Sequence, residues 1–242
     1  MLEAAFWGFV GGAALLLGAA LGLRLPVTQR QIGLVMAFGS GVLISALAFE
    51  LTAEAFDRGG SDVVALGLAA GALTFFVGDL AVDRRGGEHR KRSGGQQASG
   101  AGAAIVVGAM LDGVPESVAI GVSLLGGEGV GVAVVAAVFL SNVPESMSAA
   151  TGLRAAGRSA AWIMRLWLGV ALLTAAAAAI GYGVLGDASP DTVGVIQAFA
   201  AGAILTMLAD TMMPEAFEQG GRITGLVTVL GFAVAFLLST TG

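Results

Sequence analysis

The chain has 242 residues, of which 56% are hydrophobic and 12% are charged, and its formal net charge is −5. A soluble domain has about 25% charged residues, and the apolar residues here form long uninterrupted runs that a soluble protein of this length could not bury. The absence of cysteine and the single histidine, His89, exclude disulfides, thiolate metal sites and a transmembrane site built from imidazole.

Breaks at charged residues, prolines and glycine-rich stretches divide the chain into eight predicted transmembrane helices. Several exceed the roughly 20 residues that a perpendicular crossing needs, so we expect tilt or a protruding end. These spans are 4–23, 31–56, 62–82, 101–125, 129–152, 160–185, 191–217 and 223–240. The first run has Glu3 in place of a basic n-region and is too long for a signal-peptide core, so we expect a retained helix. The whole chain, 1–242, is predicted to be one all-α transmembrane domain.

The basic residues predict the orientation. Nearly all of them lie in the connections after spans one, three, five and seven, at Arg24, Arg30, Arg84, Arg85, Arg90, Lys91, Arg92, Arg154, Arg158 and Arg222. The opposite loops carry Arg58 and otherwise acidic residues. Under the positive-inside rule, both termini face the outside of a multi-pass cell-membrane protein. The polar segment 84–100, with His89, is then a cytoplasmic loop, and a solvated linker is favoured over a metal-collecting loop.

Two internal repeats indicate an inverted architecture. Phe38–Gly60 aligns without gaps with Phe199–Gly221, and both copies contain Glu-Ala-Phe and end in Gly-Gly. Leu111–Ser117 (LDGVPES) aligns with Leu140–Ser146 (LSNVPES). In each pair the two copies run in opposite directions, which predicts a 3+2+3 inverted repeat of the kind that recurs in transporters. Chance matching of Gly- and Ala-rich segments is the alternative.

Several carboxylates fall within the predicted spans, although an ionised one there costs about 2.5 kcal/mol or more. The candidate pathway residues outside the two Val-Pro-Glu-Ser motifs are Glu50, Glu54, Asp210 and Glu215. Of these, Glu54 and Glu215 lie near span ends and could instead reach the membrane interface. Because Arg165 is the one plausible intramembrane cation, either several acids are protonated or a cation binds among them.

The two motifs carry the predicted metal ligands. Asp112 and Glu116 are four residues apart and therefore share a helix face, as do Ser141 and Glu145. Asn142 adds an amide oxygen three residues before Glu145. We predict an all-oxygen site of the type that suits Mg, Ca or Mn.

The motif prolines add backbone oxygens to this set. Proline has no N–H, so Pro115 frees the carbonyl of Leu111, and Pro144 frees that of Leu140. If the two kinks face each other, these carbonyls lie at one depth with the carboxylates. Ordinary proline kinks with protonated glutamates are the alternative.

These motifs and the topology resemble the ZIP family of divalent-metal transporters over essentially the whole chain. That family has eight spans, outside termini, and His-Asn-x-Pro-Glu-Gly and x-x-x-Pro-Glu motifs on spans four and five. The resemblance implies that Glu116 and Glu145 bind metal and that Asn142 occupies a second-site position. Asp112 stands where the family usually has histidine, and Ser141 where it has histidine or glutamine.

Other positions depart from the family pattern. Gly113 replaces the span-four asparagine, and Thr174 is the nearest polar residue on span six, where members often have an acid. On span seven, the family's His-Glu before Pro-Glu is replaced by Asp210–Glu215 (DTMMPE). These losses weaken the case for two metals and leave an oxygen-rich first site that holds zinc less selectively.

We therefore predict a transporter that moves a divalent cation (zinc, iron, manganese or cadmium) toward the cytoplasm, with no organic cofactor. The resemblance implies homodimers in the lipid membrane and an elevator-like motion of spans one, four, five and six against the others. The alternative is a non-transporting metal sensor or membrane assembly subunit with the same fold. An enzyme is disfavoured, because there is no cysteine, no intramembrane histidine and no evident Ser–base pair, and a nucleic-acid partner is not expected.

Overall fold

The computed structural model describes residues 1–87, 102–126 and 131–240, and the side chains of 102–106 and 126 are outside that description. The described residues are helical and contain no strand, which confirms the predicted all-α class. The helices are α1 (Leu2–Arg24), α2 (Gln29–Ala46), α3 (Ala53–Val82), α4 (Gly102–Ser123), α5 (Val132–Ala155), α6 (Ala160–Leu185), α7 (Pro190–Met207), α8 (Met213–Gly220) and α9 (Thr224–Ser239). His89 and the rest of the predicted loop beyond Gly87 lie outside the described residues.

The two copies of the long repeat have the same backbone irregularities. A π-helical turn, Leu47–Thr52, joins α2 to α3, and a second, Leu208–Met212, joins α7 to α8. Gly60 then interrupts α3 with φ 73° and ψ −169°, and Gly221 follows α8 with φ 69° and ψ −153°. This conformation is essentially restricted to glycine. The Gly-Gly that ends each copy therefore marks a break in the helical path.

Long apolar helices identify a membrane protein. Five helical segments within the described residues are long and apolar enough to cross a bilayer: Leu2–Arg24, Gln29–Gly87, Val132–Ala155, Ala160–Leu185 and Pro190–Ser239. The second has 59 residues and the fifth has 50, more than twice the roughly 20 that one crossing needs. The breaks at Gly60 and Gly221 fall within these two segments. Large apolar side chains remain exposed, among them Leu226 and Val184, as expected of a surface that contacts lipid.

Polar caps fix where several helices begin. The Thr28 hydroxyl accepts the Gln31 N–H at 3.3 Å while Gln31 Oε1 accepts the Thr28 N–H at 2.8 Å, which forms a capping box before α2. Ser159 and Ser189 accept backbone N–H groups in the same way before α6 and α7. These caps satisfy the first donors of each helix and confine the connections to a few residues.

The helices pack in two groups. The motif group, which carries the two Val-Pro-Glu-Ser motifs, has α1 against α5 and α6, and α4 against α6. The repeat group, which carries the two long repeat copies, has α3 against α7, and α2 against α8 and α9. The groups meet where α2 contacts α5 and where α4 contacts α7. The apolar side chains at this meeting surface include Met36, Ile120, Val138 and Met207.

Glycine allows close approach within the repeat group. A Cβ on Gly71 of α3 would overlap the carbonyl oxygen of Phe199 in α7, and a Cβ on Gly231 of α9 would overlap that of Phe38 in α2. Phe38 and Phe199 are the first residues of the two repeat copies. The same backbone carbonyl thus faces a closely packed glycine in both copies.

Candidate cation site

The α4 motif is turned into the protein. Asp112 and Glu116 lie one turn apart on either side of Pro115 and are only 4% and 2% exposed, whereas Val114 between them is exposed. The Ser117 hydroxyl donates to the carbonyl oxygen of Gly113 at 2.6 Å. The two carboxylates therefore share a buried face of α4, as their spacing predicts.

The α5 motif is also buried. Ser141 and Glu145 have almost no exposed surface, and the Ser141 hydroxyl donates to the Val138 carbonyl at 3.0 Å. The side-chain nitrogen of Asn142 donates to the Gly11 carbonyl of α1 at 3.1 Å. Asn142 is thus held against α1, and its Oδ1 atom is the oxygen that remains for a ligand.

Pro144 of α5 lies where the two groups meet. Pro144 cannot donate to the carbonyl of Leu140, which therefore lacks its usual helical partner. A Cβ on Gly39 of α2 would lie 3.3 Å from that carbonyl oxygen and 3.2 Å from the Cα of Ser141. Gly39 thus lets α2 pass directly over the turn of α5 that contains Leu140 and Ser141.

Thr174 of α6 contacts the α4 motif within the motif group. Its hydroxyl donates to the Ala171 carbonyl at 2.8 Å and lies 3.3 Å from the Gly8 carbonyl of α1. A Cβ on Gly113 would lie 3.1 Å from its Cγ2 atom. A side chain at position 113 would therefore require Thr174 to shift by a few tenths of an ångström.

The structure buries the five predicted ligands but does not join their acids into one cluster. Among the described residues, no group of three or more His, Cys, Asp or Glu side chains lies close enough to hold a metal ion. Asp112, Glu116 and Glu145 are all described, so they do not form a three-carboxylate cage in this conformation. A cation here needs the hydroxyl, amide and carbonyl oxygens of the motifs as well.

Among the pathway candidates, Glu54 is partly exposed and Glu215 is buried. Glu54 Oε2 accepts a hydrogen bond from Gln197 Nε2 at 2.6 Å and lies 3.7 Å from the Arg58 guanidinium. Glu215 is 2% exposed, and its Oε1 accepts from Ser148 of α5 at 2.7 Å and from Gln219 at 2.6 Å. Glu215 is therefore hydrogen-bonded in the interior of the protein, whereas Glu54 is partly exposed.

The other two pathway candidates differ in accessibility. Asp210 lies in the second π-helical turn and its side chain is exposed. Glu50 lies in the first π-helical turn, is partly buried, and lines a pocket between α2, α5 and α9. Glu50 thus borders the meeting of the two groups, next to the α5 motif.

The sequence did not lead us to two hydrogen-bond donors, Ser148 to Glu215 and Gln197 to Glu54. Ser148 follows Ser141 and Glu145 at helical spacing, so the three form an i, i+4, i+7 polar stripe that could have identified it. Gln197 is an isolated amide in the apolar run of span seven, and such a residue in a membrane helix usually marks a buried bond. Both signals were in the sequence, but neither identifies the partner.

Comparison with known proteins leaves the site to be interpreted from its own chemistry. No protein-family model matches the chain, and no curated protein matches it. The features from which a function can be proposed are the buried acids of α4 and α5, the Leu140 carbonyl at the α2 crossing, and the Glu50 side chain in its pocket.

Proposed function

We propose that this protein is a membrane permease for divalent cations, a divergent ZIP-like transporter that carries zinc, iron, manganese or cadmium toward the cytoplasm. One observation supports it most strongly. Asp112, Glu116 and Glu145 are buried in apolar helices, while no Lys, Arg or His among the described residues is buried. Arg165, which the sequence suggested as the one basic residue within the membrane, is exposed.

The buried acids and their polar neighbours determine which ligands the proposed site would favour. Ionised carboxylates in a low-dielectric interior need a compensating positive charge or must stay protonated. Carboxylate, hydroxyl and amide oxygens of Glu116, Ser141, Asn142 and Glu145 form a hard donor set, which favours divalent ions that accept oxygen ligands. A divalent cation held by these oxygens would supply such a compensating charge.

The helix packing supports an eight-span, 3+2+3 inverted repeat with both termini outside. Exchanging spans one with six, two with seven, three with eight and four with five converts each main contact into another observed contact. The α2–α9 contact becomes α7–α3, the α1–α5 contact becomes α6–α4, and the α2–α5 contact becomes α7–α4. Such pairing of contacts is what an inverted repeat predicts, with the site between its halves.

The same packing supports an elevator-like mechanism. The motif group consists of spans one, four, five and six, and the repeat group contains the other four, so the two packing units coincide with the moving and static parts of such a machine. The groups meet over the α2–α5 and α4–α7 contacts. Sliding of the motif group in a homodimer would expose the buried acids first to one side and then to the other.

Uptake into proteoliposomes tests this function. The purified protein should accumulate Mn²⁺, Zn²⁺, Fe²⁺ or Cd²⁺, and Glu116→Ala and Glu145→Ala should each reduce the rate more than tenfold because each removes a charged ligand. Glu3→Ala, which removes an exposed acid, should transport like the wild type. Failure of the folded wild-type protein to move any of the four ions would refute the proposal.

A second candidate is a non-transporting metal sensor or membrane assembly subunit. The observation that favours it is the absence of a three-acid cluster among the described residues, because a pathway without an assembled site would not pass ions. Such a protein would bind a divalent ion in detergent, with Glu116→Ala weakening binding, and would give no uptake in the same proteoliposomes.

A further inference from the structure

The Glu50 pocket opens between the two groups at one end of the α5 motif. Its wall is mostly apolar, with Val42 of α2 and Leu140 of α5 among the lining residues. Its polar side chains are those of Ser45, Glu50 and Ser239. The Glu50 carboxylate therefore supplies the charge of an otherwise apolar cleft.

Glu50 has no partner of its own within the described residues. It makes neither a hydrogen bond nor an ion pair there, and the one ion pair found in them joins Arg58 to Glu54. At the equivalent position of the second repeat copy, the Thr211 hydroxyl donates to the Met207 carbonyl at 2.6 Å. The two copies thus share the π-helical turn, but only the first carries an acid at this position.

The π-helical turn explains how a charged residue comes to lie in this pocket. An α-helix that widens to a π-turn changes the register of the following side chains, and such turns are frequent at functional sites. The turn Leu47–Thr52 places Glu50 beside the pocket that Ser45 and Ala46 of the preceding turn also line. An ionised carboxylate between apolar walls is costly unless water or a cation accompanies it.

The pocket lies next to the predicted ligands of α5. Leu140 lines it, and the Leu140 carbonyl lies against Gly39, whose helix contributes Val42 to the same pocket three residues later. Ser141 and Glu145 follow Leu140 on the same helix. The α2–α5 crossing at Gly39 therefore separates the pocket from the buried motif.

We propose that the Glu50 pocket is the entry station for the divalent cation, a proposal that rests on the transport function above. The partly hydrated ion is held by the Glu50 carboxylate and the Ser45 hydroxyl until the crossing at Gly39 opens. By the positive-inside orientation this entry faces the outside, since α2 reaches its π-turn and α5 begins there. One carboxylate binds a hydrated cation weakly, which suits transit and raises its local concentration without trapping it.

Transport kinetics give the first test. In proteoliposomes, Glu50→Gln should raise the KM for Mn²⁺ roughly tenfold, the lower end of the range for electrostatic focusing, with a maximal rate within about twofold of wild type. Glu50→Asp should restore most of the affinity. Asp191→Asn, which removes an exposed acid at the start of α7, is the matched control and should leave KM unchanged. A wild-type KM in Glu50→Gln would overturn the proposal.

Thiol labelling gives a test that does not need transport. Because the chain has no cysteine, a Ser239→Cys variant presents one reactive thiol at the pocket to a membrane-impermeant reagent. Mn²⁺ should slow its labelling severalfold, and the added Glu50→Gln change should remove that protection while leaving the metal-free labelling rate intact. Asp187→Cys, in an exposed loop, should label equally with and without Mn²⁺.

The two tests separate failure of the entry station from failure of the transport function. If the wild type takes up no divalent ion but Mn²⁺ still protects the Ser239→Cys thiol through Glu50, the pocket binds cations and the permease proposal falls. If the wild type transports and Mn²⁺ protection is absent or independent of Glu50, the entry station is refuted. Protection by an apolar additive but not by Mn²⁺ would identify a cleft that binds apolar molecules, and would also refute the entry station.

Discussion

Glu54 and Glu215 occupy the same position in the two copies of the long repeat but lie in different surroundings. Each has a polar partner four residues later on its own helix, Arg58 and Gln219 respectively, and these two positions are also equivalent. The Glu54 side chain is 43% exposed, whereas Glu215 is 2% exposed. The same sequence position has therefore been used once at a surface and once in the interior.

Glu54 and Glu215 also differ in the helices that they connect by hydrogen bonds. Glu54 bonds to Gln197 of α7 and so links helices of the repeat group, whereas Glu215 bonds to Ser148 of α5 and so ties the repeat group to the motif group. The α4 residue equivalent to Ser148 is Ala119, which has no hydroxyl to offer. Within the described residues, the hydrogen bond from Ser148 to Glu215 thus links the two groups just after the α5 motif. Just before that motif, the Glu50 pocket lies between the groups.

The largest expected effect comes from removing the buried acid. Glu215→Ala leaves a cavity and deprives Ser148 and Gln219 of their acceptor, so we expect a loss of about 2–4 kcal/mol in stability. Glu54→Ala removes a half-exposed ion pair and one hydrogen bond from the Gln197 side chain, so the loss of stability should be about 0–1 kcal/mol. Thermal unfolding in detergent measures both, and equal shifts in Tm would contradict the difference between the two sites.

The glycine crossings should respond equally in the two copies. Gly71→Ala and Gly231→Ala each push a methyl group into a backbone carbonyl that cannot move aside, and each should cost about 1–3 kcal/mol by overpacking. Gly225→Ala is the control, because a Cβ there meets open space and alanine favours the helix by about 0.5–1 kcal/mol. Unequal losses at the two crossings would show that the copies are not packed equivalently.

The Gly-Gly breaks test the same equivalence in the backbone alone. A Cβ on Gly60 or Gly221 would meet nothing within 4 Å, so any cost of Gly60→Ala or Gly221→Ala reflects their positive φ. We expect about 1–2 kcal/mol for each, measured as a fall in Tm. A neutral result at either position would mean that the chain turns there without the left-handed conformation.

The repeats and the helical class were predictable because they depend on local pattern. Apolar runs, the two Val-Pro-Glu-Ser motifs and the paired Gly-Gly endings are visible in the sequence, and the buried faces of Asp112 and Glu145 follow from helical spacing. The aligned letters do not show which copy faces a neighbour. The burial of Glu215, its bond to Ser148 and the exposure of Asp210 depend on the arrangement of distant helices, which single-chain periodicity does not contain.

The smallest expected effect isolates the bond between the groups. Ser148→Ala removes one donor to Glu215 while Gln219 remains, so the loss should be about 0.6 kcal/mol, the average for such bonds between membrane helices. If this bond favours the conformation in which the Glu50 pocket is open, the loss shifts the balance toward the other conformation by roughly threefold. Labelling of the Ser239→Cys thiol should then slow, by at most the same factor, because the rate follows the fraction of open molecules.

Ala119→Ser is the matched control for this substitution, since it places a hydroxyl at the equivalent position of α4. Glu54 already accepts a bond from Gln197, and a buried serine can bond back to its own helix. The variant should therefore label like its Ala119 parent and unfold within about 1 kcal/mol of it. If Ala119→Ser changed labelling as much as Ser148→Ala, the hydroxyl of α5 would have no special place in holding the two groups together.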